Sequence, residues 1–238
     1  MVPNLFIEAA RAGRNAFWRY LLTFLLTGGF VLVSGVVVVL AAVLFSGSLD
    51  LGALPPALFL ALNLLPFFFI LGVLAAALPL LHGRPFFSLI NPLARRFRWA
   101  RFFLAGGLWL ALSAASDLIL ALFQPGNYVF VFEPERLLPY LLVAVLLIPF
   151  QAAAEELLFR GYLAQGLGLA GGYWVAWLVP SLLFGLMHGA NPEVDAYGAL
   201  LTLPLYIIMG LVLGWITLRS EGLELAIAVP VAAKGRLL

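Results

Sequence analysis

The sequence predicts an all-α protein, a polytopic bundle of transmembrane helices. Hydrophobic residues make up 64% of the 238 positions and charged residues only 10%, and the mean hydropathy is +1.11. Soluble domains carry about 25% charged residues, so this chain lies well outside their range. The chain contains no cysteine, which excludes disulfide bonds and thiolate metal ligands.

Apolar runs of suitable length predict the individual spans. A helix needs about 20 mostly apolar residues to cross the hydrocarbon core. The candidate runs are 20–45, 56–81, 102–124, 137–154, 173–189 and 197–218. The fourth run continues as a helix to about 167, and the glycines between 166 and 172 predict a turn after it. A seventh run, 223–233, is too short to cross alone. We therefore expect six full spans and a short C-terminal apolar stub.

The arginines predict the orientation of the bundle. With the N-terminus in the cytoplasm, one of the eleven arginines before position 220, Arg136, falls on the outside, and ten fall on the inside. The inside set is Arg11, Arg14, Arg19, Arg84, Arg95, Arg96, Arg98, Arg101, Arg160 and Arg219. Because cytoplasmic loops carry an excess of lysine and arginine, we expect a multi-pass integral membrane protein with a cytoplasmic N-terminus, in a bacterial plasma membrane.

Basic and aromatic residues cluster in the loop between the second and third runs. The segment 92–99 combines three arginines with Phe97 and Trp99. Such segments usually lie at the membrane surface against anionic lipid, so we expect the lipid bilayer as a partner. His82 lies in the same loop, and we expect it to be solvated. The arginines form no single basic, aromatic-interleaved face, which argues against nucleic-acid binding.

Three ionised side chains stand at the end of the fourth run: Glu155, Glu156 and Arg160. A carboxylate near a bilayer centre costs about 2.5–3.5 kcal/mol on insertion scales, so two glutamates there need compensation. On a helix, Glu156 and Arg160 are neighbours at i,i+4, whereas Glu155 is turned away from Glu156 by about 100°. We therefore expect Glu156 to pair with Arg160 and Glu155 to be free to face a cavity.

The fifth run ends in His188, the only histidine of any predicted span. A turn between 166 and 172 would fold the fourth and fifth runs into an antiparallel hairpin. Glu155 then lies about 18 Å and His188 about 24 Å from the turn, at 1.5 Å per residue. At this similar depth, a carboxylate beside an imidazole can act as a general base or acid.

Three other uses of these residues stay open. Glu155, Glu156 and Arg160 could form an ion network that only locks helices together. Glu155, Glu156 and His188 could bind a divalent metal, although the chain has no His-Glu-x-x-His motif. Buried carboxylates and a histidine also build proton relays in transporters, although the internal repeats typical of carriers are not evident.

The two motifs resemble those of the CPBP (Abi) intramembrane glutamic endopeptidases, which include the type II CAAX prenyl endopeptidases. Glu-Glu-x-x-x-Arg corresponds to 155–160, and Phe-x-x-x-His at the end of the next helix corresponds to 184–188. The resemblance covers about 137–229. It divides the chain into a three-span N-terminal region, 1–136, and a catalytic core, 137–238, which we expect to form one structural unit.

The resemblance implies hydrolysis of a peptide bond without a metal or another cofactor. Glu155 would activate a water with help from His188, and Glu156 and Arg160 would support that base. The expected substrate is a peptide or protein, including one anchored in the membrane.

The chain departs from the family near its C-terminus. The family carries a further His-x-x-x-Asn or His-x-x-x-Asp motif whose side chains help hold the oxyanion. Here Pro230 stands where the histidine is expected, and Lys234 stands where the amide is expected. Oxyanion donors typically supply about 2.7–4 kcal/mol each, so we expect an incomplete core with little or no peptidase activity. Asn191 is a candidate substitute donor.

The alternative function is that of an impaired relative that acts by binding, for instance as an immunity protein.

Overall fold

The structure, a computed structural model, contains only helices and connecting turns in the part of the chain it describes. That part is 4–93, 96–124, 126 and 133–235. The helices are α1 (Leu5–Glu8), α2 (Phe17–Ser46), α3 (Pro56–Ala77), α4 (Trp99–Phe123), α5 (Pro134–Glu156), α6 (Ala164–Met187), α7 (Pro192–Tyr197), α8 (Ala199–Ser220) and α9 (Glu224–Gly235). Two π-helical turns, Leu78–His82 and Leu157–Leu163, extend α3 and α5. The predicted all-α fold is confirmed.

Five helical segments among the described residues are long and apolar enough to cross a membrane. They are Phe17–Ser46, Pro56–His82, Trp99–Phe123, Leu137–Ala190 and Ala199–Ser220. The fourth is 54 residues long, and it breaks at Gly172, where φ is 78° and ψ is −170°. Glycine tolerates this left-handed φ because it has no Cβ. The protein is therefore an integral membrane protein. The count of six spans stays a prediction, because it requires each arm of the broken segment to cross.

The broken segment folds into the expected antiparallel hairpin. Arg160 Cζ lies 4.0 Å from the ring centroid of Phe184. Arg160 stands twelve residues before Gly172 and Phe184 twelve residues after it, so the two arms run side by side in opposite directions. The same register places Glu156 and His188, each sixteen residues from Gly172, at equal depth.

The main hydrophobic core surrounds the π-helical turn that follows α5. Phe159 and Tyr162 of this turn are buried in one cluster with Phe6 of α1, Leu74 of α3 and Leu218 of α8. By contrast, α2 and α4 expose most of their apolar side chains, as expected of helices that face lipid. The core thus packs around the end of the helix that carries the two glutamates.

A buried carboxylate fixes the start of α9. Glu224 accepts hydrogen bonds from the Arg98 backbone nitrogen at 3.1 Å, from Arg98 Nε at 2.8 Å and from Arg98 Nη2 at 2.6 Å. Asn91 Nδ2 donates a fourth bond at 3.1 Å. Burial alone would raise the pKa of Glu224, but the bonds from Arg98 outweigh it and lower the pKa. This clamp ties the loop before α4 to α9 and so positions the residues further along α9.

The expectation that His82 is solvated is wrong. Its side chain is fully buried, with Nδ1 at 2.8 Å from the Arg14 carbonyl oxygen and Nε2 at 2.8 Å from the Tyr162 hydroxyl. The reason is that the N-terminal segment folds over this loop, where the Arg14 backbone N–H also donates to the His82 carbonyl at 2.7 Å. Local hydropathy carries no information about such a long-range contact.

Candidate active site

Glu156 and Arg160 form a buried ion pair, which confirms the pairing expected from their spacing. Arg160 Nη1 donates to Glu156 Oε1 at 2.7 Å, and both side chains are almost fully buried. Glu156 Oε2, Arg160 Nε and Arg160 Nη2 have no hydrogen-bond partner among the described residues. Buried polar atoms usually bond protein or ordered water, so these three can receive a water or a polar substrate group.

The π-helical turn brings Arg160 onto the second motif. Such turns are wider than α-helical ones and often occur at functional sites. Phe184 receives the Arg160 guanidinium on its ring at 4.0 Å, and its centroid lies 4.3 Å from that of the His188 ring. Phe184 therefore joins the ion pair to the histidine, which gives the phenylalanine of the motif a physical role.

His188 is held by its own backbone. Its Nδ1 lies 2.7 Å from the Phe184 carbonyl oxygen. Because a carbonyl only accepts hydrogen bonds, Nδ1 carries the proton and Nε2 of the neutral ring is the acceptor. The ring also stacks on Tyr206, with centroids 4.2 Å apart and planes at 27°. An imidazole fixed in this tautomer can orient a water through Nε2.

Tyr206 is a site residue that no sequence motif indicated. Its hydroxyl accepts a hydrogen bond from Asn191 Nδ2 at 3.0 Å, so the candidate substitute donor uses one amide hydrogen on this tyrosine. The close approach of α8 depends on Gly185, since a Cβ there would lie 2.9 Å from the Ile207 backbone nitrogen. Only the folded packing of α6 on α8 shows that Tyr206 belongs to the site.

Glu155 is ion-paired, not free as the sequence analysis expected. Lys234 Nζ donates to Glu155 Oε1 at 2.9 Å and to Oε2 at 3.0 Å. Gln151 Nε2 donates to Oε1 at 3.2 Å from one turn earlier on α5. The physical reason is that α9 packs against α5, which brings the ammonium over the carboxylate. The i,i+4 spacing could have indicated Gln151, whereas nothing local indicates Lys234 as a partner.

Glu155 and His188 lie in one part of the bundle. They stand seventeen and sixteen residues from Gly172 on the two arms of the hairpin, so they lie at similar depth, although the hydrogen bonds described above join each residue to other partners. The expectation that Glu155 and His188 share one water therefore stays a prediction.

The described residues contain no group of three His, Asp or Glu side chains that could hold a metal ion. At Glu155 both carboxylate oxygens face an ammonium group, and that charge would repel a divalent cation at the same oxygens. The arrangement therefore gives no geometric support to a metal at Glu155, Glu156 and His188.

An apolar cavity of about 540 Å³ lies against a different face of α5. Ala153 and Leu157 line it; they share a helix face at i,i+4 that Glu155 does not occupy. Its aromatic walls are Phe86, Phe97, Trp99, Phe102 and Phe150. Residues of α9 also contribute, so this helix touches both the cavity and Glu155.

Replacing Arg160 by glutamine should unfold the site. Glu156 would be left buried without its partner, and breaking a buried pair typically costs about 3–5 kcal/mol. We expect a large drop in the thermal midpoint of the purified protein in detergent. The matched control is Glu156→Gln combined with Arg160→Met, which removes both charges and should recover most of the loss. Equal midpoints for the single and double variants would contradict a role of the pair in stability.

A family model described as type II CAAX prenyl endopeptidase Rce1-like matches residues 134–233, a range that contains both motifs. Over 240 residues the chain is 30% identical to the uncharacterized protein YyaK of Bacillus subtilis (strain 168), and the match spans 96% of this chain and 79% of that protein. No solved structure matches.

Proposed function

Because the chain belongs to the family of type II CAAX prenyl endopeptidase Rce1-like proteins, we propose that it is an intramembrane endopeptidase whose catalytic base is Glu155. The observation that carries the proposal is that the two adjacent glutamates have different partners. Glu156 is paired to the buried Arg160, whereas the partner of Glu155 is the partly exposed Lys234. Glu155 also lies within one residue of the depth of His188 on the facing arm of the hairpin.

In the proposed reaction, Glu155 and His188 Nε2 hold one water between them. Glu155 takes a proton from this water while the oxygen of the water attacks the carbonyl carbon of the peptide bond. The carbon–nitrogen bond then breaks, and Glu155 returns the proton to the leaving amine. Arg160 positions His188 through the ring of Phe184. The weak point is the oxyanion, because Pro230 and Lys234 replace the family's donors.

The substrate that we propose is a peptide or protein anchored in the membrane. The matched family is described as prenyl endopeptidases, and the apolar cavity beside α5 has a volume and an apolar lining that suit a hydrocarbon chain. Binding energy from such a remote apolar group can serve to position the scissile bond.

The proposed location is a bacterial plasma membrane with the N-terminus in the cytoplasm. Single cysteines at Ser48 and Arg96 can test this orientation cleanly, because the chain has none of its own. In spheroplasts, an impermeant maleimide should label position 48 and leave position 96 unlabelled until the membrane is opened. The opposite pattern would contradict the orientation.

The proposed activity can be tested with the variant Pro230→His/Lys234→Asn in liposomes. Prenylated and unprenylated membrane peptides should be incubated with it in heavy-oxygen water. Hydrolysis by an activated water should place one heavy oxygen in the new carboxyl terminus, and chelators should leave the rate unchanged. Loss of the rate on chelation and its return with zinc would establish a metal mechanism instead. Absence of any cleavage would leave the binding function of an impaired relative as the better explanation.

A further inference from the structure

Lys234 and Glu155 form a bidentate ion pair at the candidate site. Lys234 is the only lysine in the chain. Its Nζ lies within 3.0 Å of both oxygens of one carboxylate, and the Glu155 side chain is only 10% exposed. Charge-assisted bonds of this kind are roughly twice as strong as neutral ones. The pair is therefore a defined structural element of the site.

The position of the ammonium conflicts with the chemistry of a base. To take a proton from water, Glu155 must offer a carboxylate lone pair to that water. Lys234 already donates to Oε1 and to Oε2, and Gln151 donates to Oε1 as well. A water must then compete with a cation for the same oxygens, in surroundings of low dielectric where that cation is held strongly.

The two ends of helix α9 are held by separate sets of hydrogen bonds. Glu224 is clamped by Arg98 and Asn91 at the start of the helix, while Lys234 is bonded at its end, ten residues later. Helix α9 is thus attached at both ends, with the ammonium over Glu155. Only the second attachment touches the site.

We infer that Lys234 is a built-in inhibitor of Glu155, a tethered cation that must leave the carboxylate before a water can be activated there. This inference rests on the proposed function for its consequence, since it describes how that site is held inactive. The ion pair itself can be tested without any peptidase assay.

The first experiment measures the chemical reactivity of Lys234 in the folded protein. With a single lysine, an amine-acylating reagent followed by mass spectrometry of the C-terminal peptide reports this one side chain. We expect slow acylation in the native protein and at least about tenfold faster acylation in Glu155→Gln, because one charged hydrogen bond is equivalent to about one to two powers of ten. The double variant Glu156→Gln/Arg160→Met, which removes the neighbouring ion pair without leaving a buried charge, is the matched control and should remain slow. Size-exclusion chromatography should show that both proteins are folded. Equal acylation rates in the native protein and in Glu155→Gln would then overturn the inference.

The second experiment measures peptide hydrolysis by Lys234→Met and Lys234→Arg. Lys234→Met removes the cation and keeps an unbranched apolar side chain. We therefore expect its rate of peptide hydrolysis to exceed that of the native protein about tenfold to hundredfold, which is the equivalent of one charged hydrogen bond. Lys234→Arg keeps the cation and should stay at the native rate. A gain in both variants, or a loss in Lys234→Met that Lys234→Arg restores, would overturn inhibition. If acylation shows the pair but no variant hydrolyses any peptide, the proposed endopeptidase function fails while the ion pair stands.

Discussion

Glu155→Gln should abolish peptide hydrolysis in the protein that carries Pro230→His and Lys234→Asn. A positioned general base typically contributes about 10²–10⁴-fold to the rate, and glutamine keeps the shape of glutamate without the ability to take a proton. Initial rates in liposomes, compared at saturating substrate, measure the effect on kcat. Substrate binding should change little, because Glu155 has its largest role in the transition state.

The background of this experiment also removes a common source of ambiguity. In the native chain, Glu155→Gln would leave Lys234 as an unpaired, partly buried cation. With asparagine at 234 no such charge remains, so the glutamine variant should keep its thermal midpoint within a few degrees. A variant that is stable and still hydrolyses peptide at the unchanged rate would show that Glu155 is not the base.

The membrane bundle and the first motif could be predicted because their determinants are local. Apolar run length and the i,i+4 spacing of Glu156 and Arg160 are properties of one helix, and both were confirmed. The hairpin turn was also predictable, since glycines cluster where the chain adopts a positive φ at Gly172. The roles assigned to Glu155, Glu156, Arg160 and His188 in catalysis stay predictions.

The remaining features depend on packing between helices that are distant in sequence. Tyr206 reaches His188 because α8 packs closely on Gly185. Lys234 reaches Glu155, 79 positions earlier, because α9 lies against α5. His82 is buried by a segment that precedes it by more than sixty residues. A single sequence contains no periodicity or spacing that reports these contacts.

Pro230→His together with Lys234→Asn should raise the rate of peptide hydrolysis by orders of magnitude over the native protein. Each oxyanion donor is worth about 10²–10³-fold in kcat, and the second substitution also removes the ammonium from Glu155. The geometry of α9 supports this expectation. Residues 230 and 234 are at i,i+4 on α9 and share one face, and the side chain at 234 reaches Glu155.

Pro230 also affects the backbone of α9, and a matched variant separates this effect from the loss of the histidine. Pro230 lies inside α9, where it has no N–H to donate and typically costs a helix about 3 kcal/mol. Pro230→Ala restores the backbone bond without an imidazole, so Pro230→Ala/Lys234→Asn is the matched control. If the histidine acts on the oxyanion, the histidine variant should exceed this control by about 10²-fold in kcat at similar thermal stability. If the two variants have equal rates, position 230 acts only through the helix, and the oxyanion donor must be sought elsewhere, with the Asn191 amide beside Tyr206 as the next candidate.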